Sequence, residues 1–174
     1  KRGLKIFYLP IPPERGVYGM FTYDQKMGGC VLINSNPNFG NQLFSLAHEY
    51  AHFVFHKSRF GMISLENEKD IYDERIADIF ADEFLMPVGS VEEMFYNGVQ
   101  GRSEIAAEDV VYLSDYYGVS YQAMVYRLNN LRLISDDKKE ELLNIGSVSA
   151  VRSSMGLEES ARQRPKYPSR YYHL

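Results

Sequence analysis

The sequence predicts an α+β fold in which a small sheet comes first and helices follow. Short runs rich in β-branched and aromatic residues occupy the first 34 residues. From about residue 39 onward, apolar residues instead recur at the three- and four-residue spacing of helices. The composition, with 45% hydrophobic and 24% charged residues in a chain of 174, is that of one globular domain that can bury a core.

The composition also excludes several classes of protein. A single cysteine, Cys30, rules out an intramolecular disulfide and any zinc module built from several cysteines, and it fits a reducing, cytoplasmic location. No apolar run approaches the roughly 20 residues that span a bilayer, and the first residues carry no signal-peptide pattern, so we expect no membrane association. The net charge of -4 argues against a protein whose main task is to bind nucleic-acid phosphates.

Three strands are predicted before residue 35. Residues 5–9 form the first, which ends at Pro10 because proline lacks the amide hydrogen that a strand donates. Residues 17–23 and 30–34 form the other two, and the turn that joins them contains two glycines at residues 27–29. We expect these strands to form a small antiparallel sheet.

A long helix is predicted after Asn38, which can cap its first turn. The apolar residues of this helix fall on one face: Leu43, Leu46, Ala47, Tyr50, Ala51 and Val54. A second helix is predicted over residues 71–86, because Pro87 must end it. Shorter helices are predicted over residues 90–96, 107–117, 120–131 and 136–143.

We expect the chain to divide into three parts. Residues 1–98 form the core, and residues 99–144 form a helical subdomain with a helix-turn-helix-like pattern. Residues 145–174 are expected to be a flexible linker followed by a basic tail, because the first residues of this segment are mostly small and polar. The chain begins without an initiator methionine, so we expect it to be part of a longer protein. Between residues 107 and 144, four basic residues stand against seven acidic ones, which disfavours direct nucleic-acid binding.

Residues 48–52 match the metal-binding pattern H-E-x-x-H inside the long helix. Positions four apart on a helix differ by about 40° in direction and about 6 Å along the axis, so His48 and His52 can bind one ion. Zinc lowers the pKa of a water in its open position toward about 7, and Glu49 is placed to take the proton of that water. The alternative is a helix with two surface histidines and a solvated glutamate, but both histidines flank the apolar face.

A third protein ligand is needed, because two histidines do not complete a catalytic zinc site. His56 lies one turn further, about 12 Å along the axis from His48, which is too far to share an ion. The extended motif with glycine and histidine at positions 55 and 58 is absent, since Phe55 and Ser58 stand there. A glutamate is therefore predicted, and the candidates are Glu66, Glu68, Glu74 and Glu83.

Glu74 is the best of these candidates. On the second helix it shares one stripe with Ala77, Asp78 and Ala81, and the alanines are small enough to let this stripe approach another helix closely. Asp78 is then positioned to accept the second N–H of a ligand histidine and so fix its tautomer. The alternative is a solvated charged face with incidental alanines.

The two segments L-A-H-E-Y-A-H-F, at residues 46–53, and E-R-I-A-D-I-F-A-D-E-F-L-M-P, at residues 74–87, resemble the ImmA/IrrE family of zinc metallopeptidases. The resemblance covers about residues 14–134. It implies a zincin-like fold, with a small antiparallel sheet packed on the H-E-x-x-H helix and a helical subdomain after it. One departure is Asp78, where the family often has asparagine. The E-x-x-x-D spacing of Glu74 and Asp78 is, however, also similar to that of thermolysin-like enzymes.

The same resemblance implies a function and a set of site residues. The metal ligands would be His48, His52 and Glu74, with Glu49 as the catalytic acid and base. The ion would be Zn²⁺, with Mn²⁺ as an alternative. The partner would be a protein substrate, a helix-turn-helix repressor that a cytoplasmic endopeptidase cleaves to derepress stress or mobile-element genes.

Two alternatives and one residue choice stay open. A non-catalytic regulator could use the same site to sense or hold a metal, and residues 107–144 could form a DNA-binding module. The residue that stabilises the oxyanion is also undecided, since any of several tyrosines could donate to it. The candidates are Tyr23, Tyr50, Tyr96 and Tyr112.

Overall fold

A computed structural model describes residues 3–57, 71–99, 102 and 104–157. It contains three strands, β1 (Leu4–Leu9), β2 (Gly19–Asp24) and β3 (Gly28–Asn34). The helices are α1 (Phe39–Ala51), α2 (Ile71–Leu85), α3 (Val88–Gly98), α4 (Ala107–Tyr117), α5 (Tyr121–Asn130), α6 (Asp136–Leu143) and α7 (Val148–Ser154). A 3₁₀ turn spans Pro13–Arg15, and a π-helical turn, His52–His56, continues α1. The predicted α+β, zincin-like arrangement is confirmed: the sheet contacts α1, and the helices follow.

The sheet is mixed, in the order β1-β3-β2. The hairpin of β2 and β3 is antiparallel, with Phe21 opposite Val31, whereas β1 runs parallel to β3, with Ile6 opposite the same Val31. The expectation of a wholly antiparallel sheet was therefore wrong for β1. Alternating apolar residues indicate a strand but not the direction of its neighbour, so the sequence pattern could not distinguish the two arrangements.

Asn34 fixes the segment that leads from β1 to β2. Its buried side-chain oxygen accepts hydrogen bonds from the backbone N–H groups of Ile11 and Asn36, both at 3.0 Å. Its amide nitrogen donates to the carbonyls of Ile11, at 3.1 Å, and Val17, at 2.9 Å. A single side chain at the end of β3 thus holds residues 11–17 in place.

The described residues have two hydrophobic clusters. The smaller one consists of Phe21, Val31 and Ile33 of the sheet, against which Leu46 and Phe53 pack. The larger one begins at Met86 and includes residues of α3, although the sequence predicts that α3 belongs to the first part of the chain. None of the helices in the described ranges has both the length and the apolar character that crossing a bilayer needs.

Helix α7 occupies part of the segment that was predicted to be a flexible linker. Ser147 caps this helix by accepting a hydrogen bond from the backbone N–H of Ala150. Val148, Val151 and Met155 pack against the larger cluster. The prediction was wrong over these residues because serine, which is common in linkers, is also a preferred helix cap. The basic tail lies outside the described residues.

Gly40 lies where α1 meets the helical half of the chain. A Cβ atom on Gly40 would lie 2.4 Å from the backbone nitrogen of Ser120 and 2.5 Å from the carbonyl carbon of Val119. Real Cβ atoms essentially never come this close to another heavy atom. Glycine at this position therefore allows α1 to approach the segment that precedes α5.

We expect Gly40→Ala to lower the free energy of unfolding by about 1–3 kcal/mol, because the new methyl group must displace backbone atoms. Gly89→Ala is the matched control: Gly89 is also the second residue of its helix, and nothing lies within 4 Å of its Cβ position. Since alanine favours helices, the control should be neutral or slightly stabilising. Urea unfolding measures both variants, and equal effects would contradict the role given to the Gly40 contact.

Candidate metal centre

Helices α1 and α2 pack together through small residues. Ala47 and Ala51 of α1 and Ala77 and Ala81 of α2 are all buried, at 0–5% exposure. Small side chains let two helix backbones approach closely, as the predicted stripe on α2 requires. The polar residues of that stripe consequently lie beside the histidines of α1.

Three potential ligand groups converge at this helix pair. His48 Nε2 lies 3.1 Å from His52 Nε2 and 3.2 Å from Glu74 Oε2, and His52 Nε2 lies 3.4 Å from Glu74 Oε1. Metal–ligand bonds of 2.0–2.1 Å in a tetrahedral site put ligand atoms about 3.3 Å apart. The three groups therefore fit one metal ion, with one coordination position left over. They form a possible metal-binding group among the described residues.

Asp78 lies on the outer side of His48. The Nδ1 atom of His48 is 2.8 Å from Asp78 Oδ1, the distance of a hydrogen bond in which the imidazole donates. A proton on Nδ1 leaves the lone pair of Nε2 free to face the other two groups. The sequence predicts Asp78 in this place because it shares the α2 stripe with Glu74 and two small alanines.

Glu49 is buried, with 6% of its surface exposed. Its carboxylate lies against β2 at Gly19, where an added Cβ would be 2.8 Å from Glu49 Oε1. The group of three ligand candidates does not include Glu49. The carboxylate is therefore held between α1 and β2, next to the three groups but separate from them.

The other sequence candidates lie elsewhere. Glu83 pairs with Arg127 of α5 at 2.7 Å, and the same guanidinium donates to the carbonyl of Met86, so Glu83 joins α2 to the helical half. Glu66 and Glu68 fall outside the described residues. His56 was excluded as a ligand by its distance along the helix, and the group of three does not contain it.

A cleft of about 930 Å³ opens onto the three groups. Residues 16–21 line one side, and Asn41, Phe44 and Ser45 of α1 line another. Ala123, Tyr126 and Asn130 of α5 close the far side. Of residues 16–21, three, Gly19, Met20 and Phe21, belong to β2. Because successive side chains of a strand point to opposite faces, three consecutive lining residues indicate that the cleft borders the first part of the β2 edge.

The tyrosines of the cleft differ from the four candidates for oxyanion stabilisation. Tyr18 and Tyr126 line it, while none of Tyr23, Tyr50, Tyr96 and Tyr112 does. Tyr18 precedes β2, and Tyr126 comes from α5, about 75 residues beyond the H-E-x-x-H motif. No local pattern in the sequence links either residue to the motif, because segments that are distant along the chain meet at the cleft.

The cleft is acidic. Glu49, Glu74, Asp78 and Asp82 line it, and no lysine or arginine does among the described residues. Desolvation raises the pKa of the Asp82 carboxyl above its ordinary 3.8; the charge of Arg127 opposes this shift, and the nearby charges of Asp78 and Glu83 add to it. Negative charge of this kind attracts a cation or a basic side chain.

A family model described as Peptidase_M78, the IrrE N-terminal-like domain, matches residues 1–129. No curated protein matches the chain. The matched range includes the three potential ligands, Glu49 and the edge of β2 that borders the cleft.

Proposed function

Because the chain belongs to the IrrE N-terminal-like peptidase family, we propose that it is a zinc-dependent endopeptidase that cleaves a helix-turn-helix transcriptional repressor. The observation that carries this proposal is the convergence of His48, His52 and Glu74 beside a buried glutamate, in a cleft along a strand edge. The family implies a metal ion and a protein substrate.

The proposed ion is zinc, because two imidazole nitrogens and one carboxylate are a ligand set of catalytic zinc sites. Manganese is the alternative, since it also accepts nitrogen and oxygen ligands. When bound, zinc lowers the pKa of water and polarises a carbonyl group. Asp78 would keep His48 in the tautomer that a ligand needs.

Glu49 is the proposed acid and base. Its carboxylate would take a proton from the attacking water and pass it to the leaving nitrogen of the scissile bond. The low exposure of Glu49 supports this role, because a carboxylate shielded from bulk water keeps a fixed position and exchanges protons mainly with groups in the cleft.

The outer edge of β2 is the proposed substrate-binding element. No strand among the described residues pairs with this edge, so its backbone groups can hydrogen bond an extended peptide. Glu49 contacts β2 at Gly19, so a peptide bound along this edge would pass the proposed base. The acidic lining favours substrates with basic side chains near the cut bond.

Gly19→Ala should lower the cleavage rate roughly ten- to a hundredfold, because the methyl group would push the Glu49 carboxylate out of position. Zinc affinity should stay within about twofold, since Gly19 lies outside the ligand group. Gly98→Ala is the control, because its Cβ position has nothing within 4 Å. A Gly19→Ala protein with normal cleavage would mean that Glu49 tolerates movement or does no chemistry.

The function is tested by incubating the protein with candidate repressors, with and without a chelator, and identifying fragments by mass spectrometry. We expect one or few cuts that disappear with chelator and return with added zinc. Chelator-resistant cleavage would reject the metal-dependent mechanism. Zinc binding without cleavage of any repressor would favour the metal-sensing alternative.

The DNA-binding alternative receives no support from residues 107–144. Arg127 is buried and pairs with Glu83, and Lys138 lies within 3.3 Å of both Glu104 and Glu141. Lys139 pairs with an aspartate of its own helix. Three of the four cations of this segment thus already have acidic partners.

A further inference from the structure

The buried imidazole of His56 lies behind His52, on the side away from Glu74. The two Nδ1 atoms are 2.9 Å apart, and His56 Nε2 is 3.3 Å from the Oδ1 atom of Asp73. His56 is 4% exposed, and the side chain of Asp73 is 14% exposed. Three polar groups therefore form a row, Asp73–His56–His52, that ends at the candidate metal centre.

One set of proton positions satisfies both contacts of the row and leaves His52 able to bind an ion. For His52 to present the Nε2 lone pair to an ion, its proton must be on Nδ1. That proton can be donated only to a bare Nδ1 of His56, which puts the His56 proton on Nε2. This second proton points to Asp73, which accepts it, so every contact in the row has one donor and one acceptor.

We propose that His56 and Asp73 are positioning residues, which hold His52 in the ring orientation and tautomer that bind the ion. The proposal rests on the proposed metal site. The two ligand histidines would then be held by different means, since Asp78 contacts His48 directly, whereas Asp73 acts on His52 through an imidazole.

The local backbone accounts for the position of His56. The turn His52–His56 is π-helical, so it contains an extra residue per hydrogen-bonded ring and rotates His56 away from its α-helical direction. The rings of His52 and His56 then lie 5.1 Å apart. Isolated π turns often occur at functional sites, which agrees with a role beyond packing.

Helix α2 supplies the other half of the row. Asp73 and Glu74 are neighbours and point about 100° apart on the helix. Glu74 therefore reaches the Nε2 side of His52, while Asp73 reaches His56 on the far side. Two neighbouring residues of α2 would thus act on the two sides of His52. Glu74 would share the ion with it, and Asp73 would hold it in place through His56.

Paired variants of His56 test this role through zinc affinity, measured by competition with a coloured chelator. His56→Leu removes the acceptor and should weaken zinc binding by about ten- to a hundredfold. His56→Asn keeps an oxygen acceptor near the position of Nδ1 and should stay within a few-fold of the original protein. If folded His56→Leu protein binds zinc as tightly as the original protein, the proposal is overturned. That result is the one expected if His56 served only to pack the protein interior.

A second measurement is independent of zinc affinity. In nitrogen-15 spectra of the zinc-loaded protein, we expect His52 to be protonated at Nδ1 and His56 at Nε2. Protonation of His56 at Nδ1 would also overturn the proposal. If His56→Leu fails to fold, Asp73→Ala replaces it, again with an expected loss of about tenfold or more in zinc affinity. An original protein that binds no zinc would refute the proposed function, whereas a zinc-loaded protein with His56 protonated at Nδ1 would refute only the positioning role.

Discussion

Glu49→Gln should lower the rate of repressor cleavage at least about a hundredfold, because glutamine keeps the size and shape of the side chain but cannot take a proton. Transfer by a positioned base is typically worth about 10²–10⁴-fold. Zinc content and thermal stability should remain near those of the original protein, since the three proposed ligands are unchanged and Glu49 is not among them.

The comparison needs a glutamate that lies far from the cleft. Glu93→Gln on the exposed side of α3 makes the same chemical change outside the cleft lining and should leave cleavage unaltered. Metal content is measured by mass spectrometry of the element and cleavage by the initial rate of fragment release. A zinc-loaded Glu49→Gln protein that cleaves at the original rate would falsify the assignment of Glu49.

Glu74→Gln should weaken zinc binding more than a hundredfold and abolish cleavage with it. An amide oxygen carries no charge, so the ion would keep only two imidazole ligands of the three that a catalytic zinc site requires. The loss should exceed the ten- to hundredfold effect of groups that merely orient a ligand. His52→Ala should likewise lose both zinc binding and cleavage. It should also lower the free energy of unfolding somewhat, because His52 is 3% exposed.

Glu83→Gln is the matched control on the same helix. Glu83 was a candidate ligand in the sequence but pairs with Arg127 at 2.7 Å, so its loss should leave zinc affinity unchanged. Glutamine keeps an acceptor for the buried Arg127, which also donates to the carbonyl of Met86, so the protein should stay folded with a stability loss on the order of 1–3 kcal/mol. Titration of both variants with zinc separates the two assignments. A normal affinity in Glu74→Gln would direct the search for the third ligand to Glu66 and Glu68.

The helical elements and the spacing of the site could be predicted because they depend on local sequence. The spacing of apolar residues predicted α1 and α2. The fixed geometry of a helix placed His48 and His52 on one face of α1, and Glu74 and Asp78 on one face of α2. The small alanines of α2 further indicated that this stripe could approach another helix.

The remaining features depend on contacts between distant segments, which no local pattern encodes. The direction of β1 is set by the path of residues 11–17 around Asn34, and Tyr126 reaches the cleft only through the packing of α5. The helical pattern predicts an α-helix that continues past His52, which places His56 too far along the axis to share an ion and indicates no other role for it. The π turn and the carboxylate of Asp73 instead give it a different set of contacts.

A target segment that pairs with the outer edge of β2 must be extended over several residues. A helix in a folded target offers no such segment until it unfolds locally. Each additional ~1.4 kcal/mol in the free energy of this opening lowers the population of the open form tenfold. Cut sites would therefore be chosen by the local stability of the target as much as by its residue types, with linkers and frayed helix ends cut first. A target that is stabilised by its own ligand would then become resistant, with no change in the peptidase.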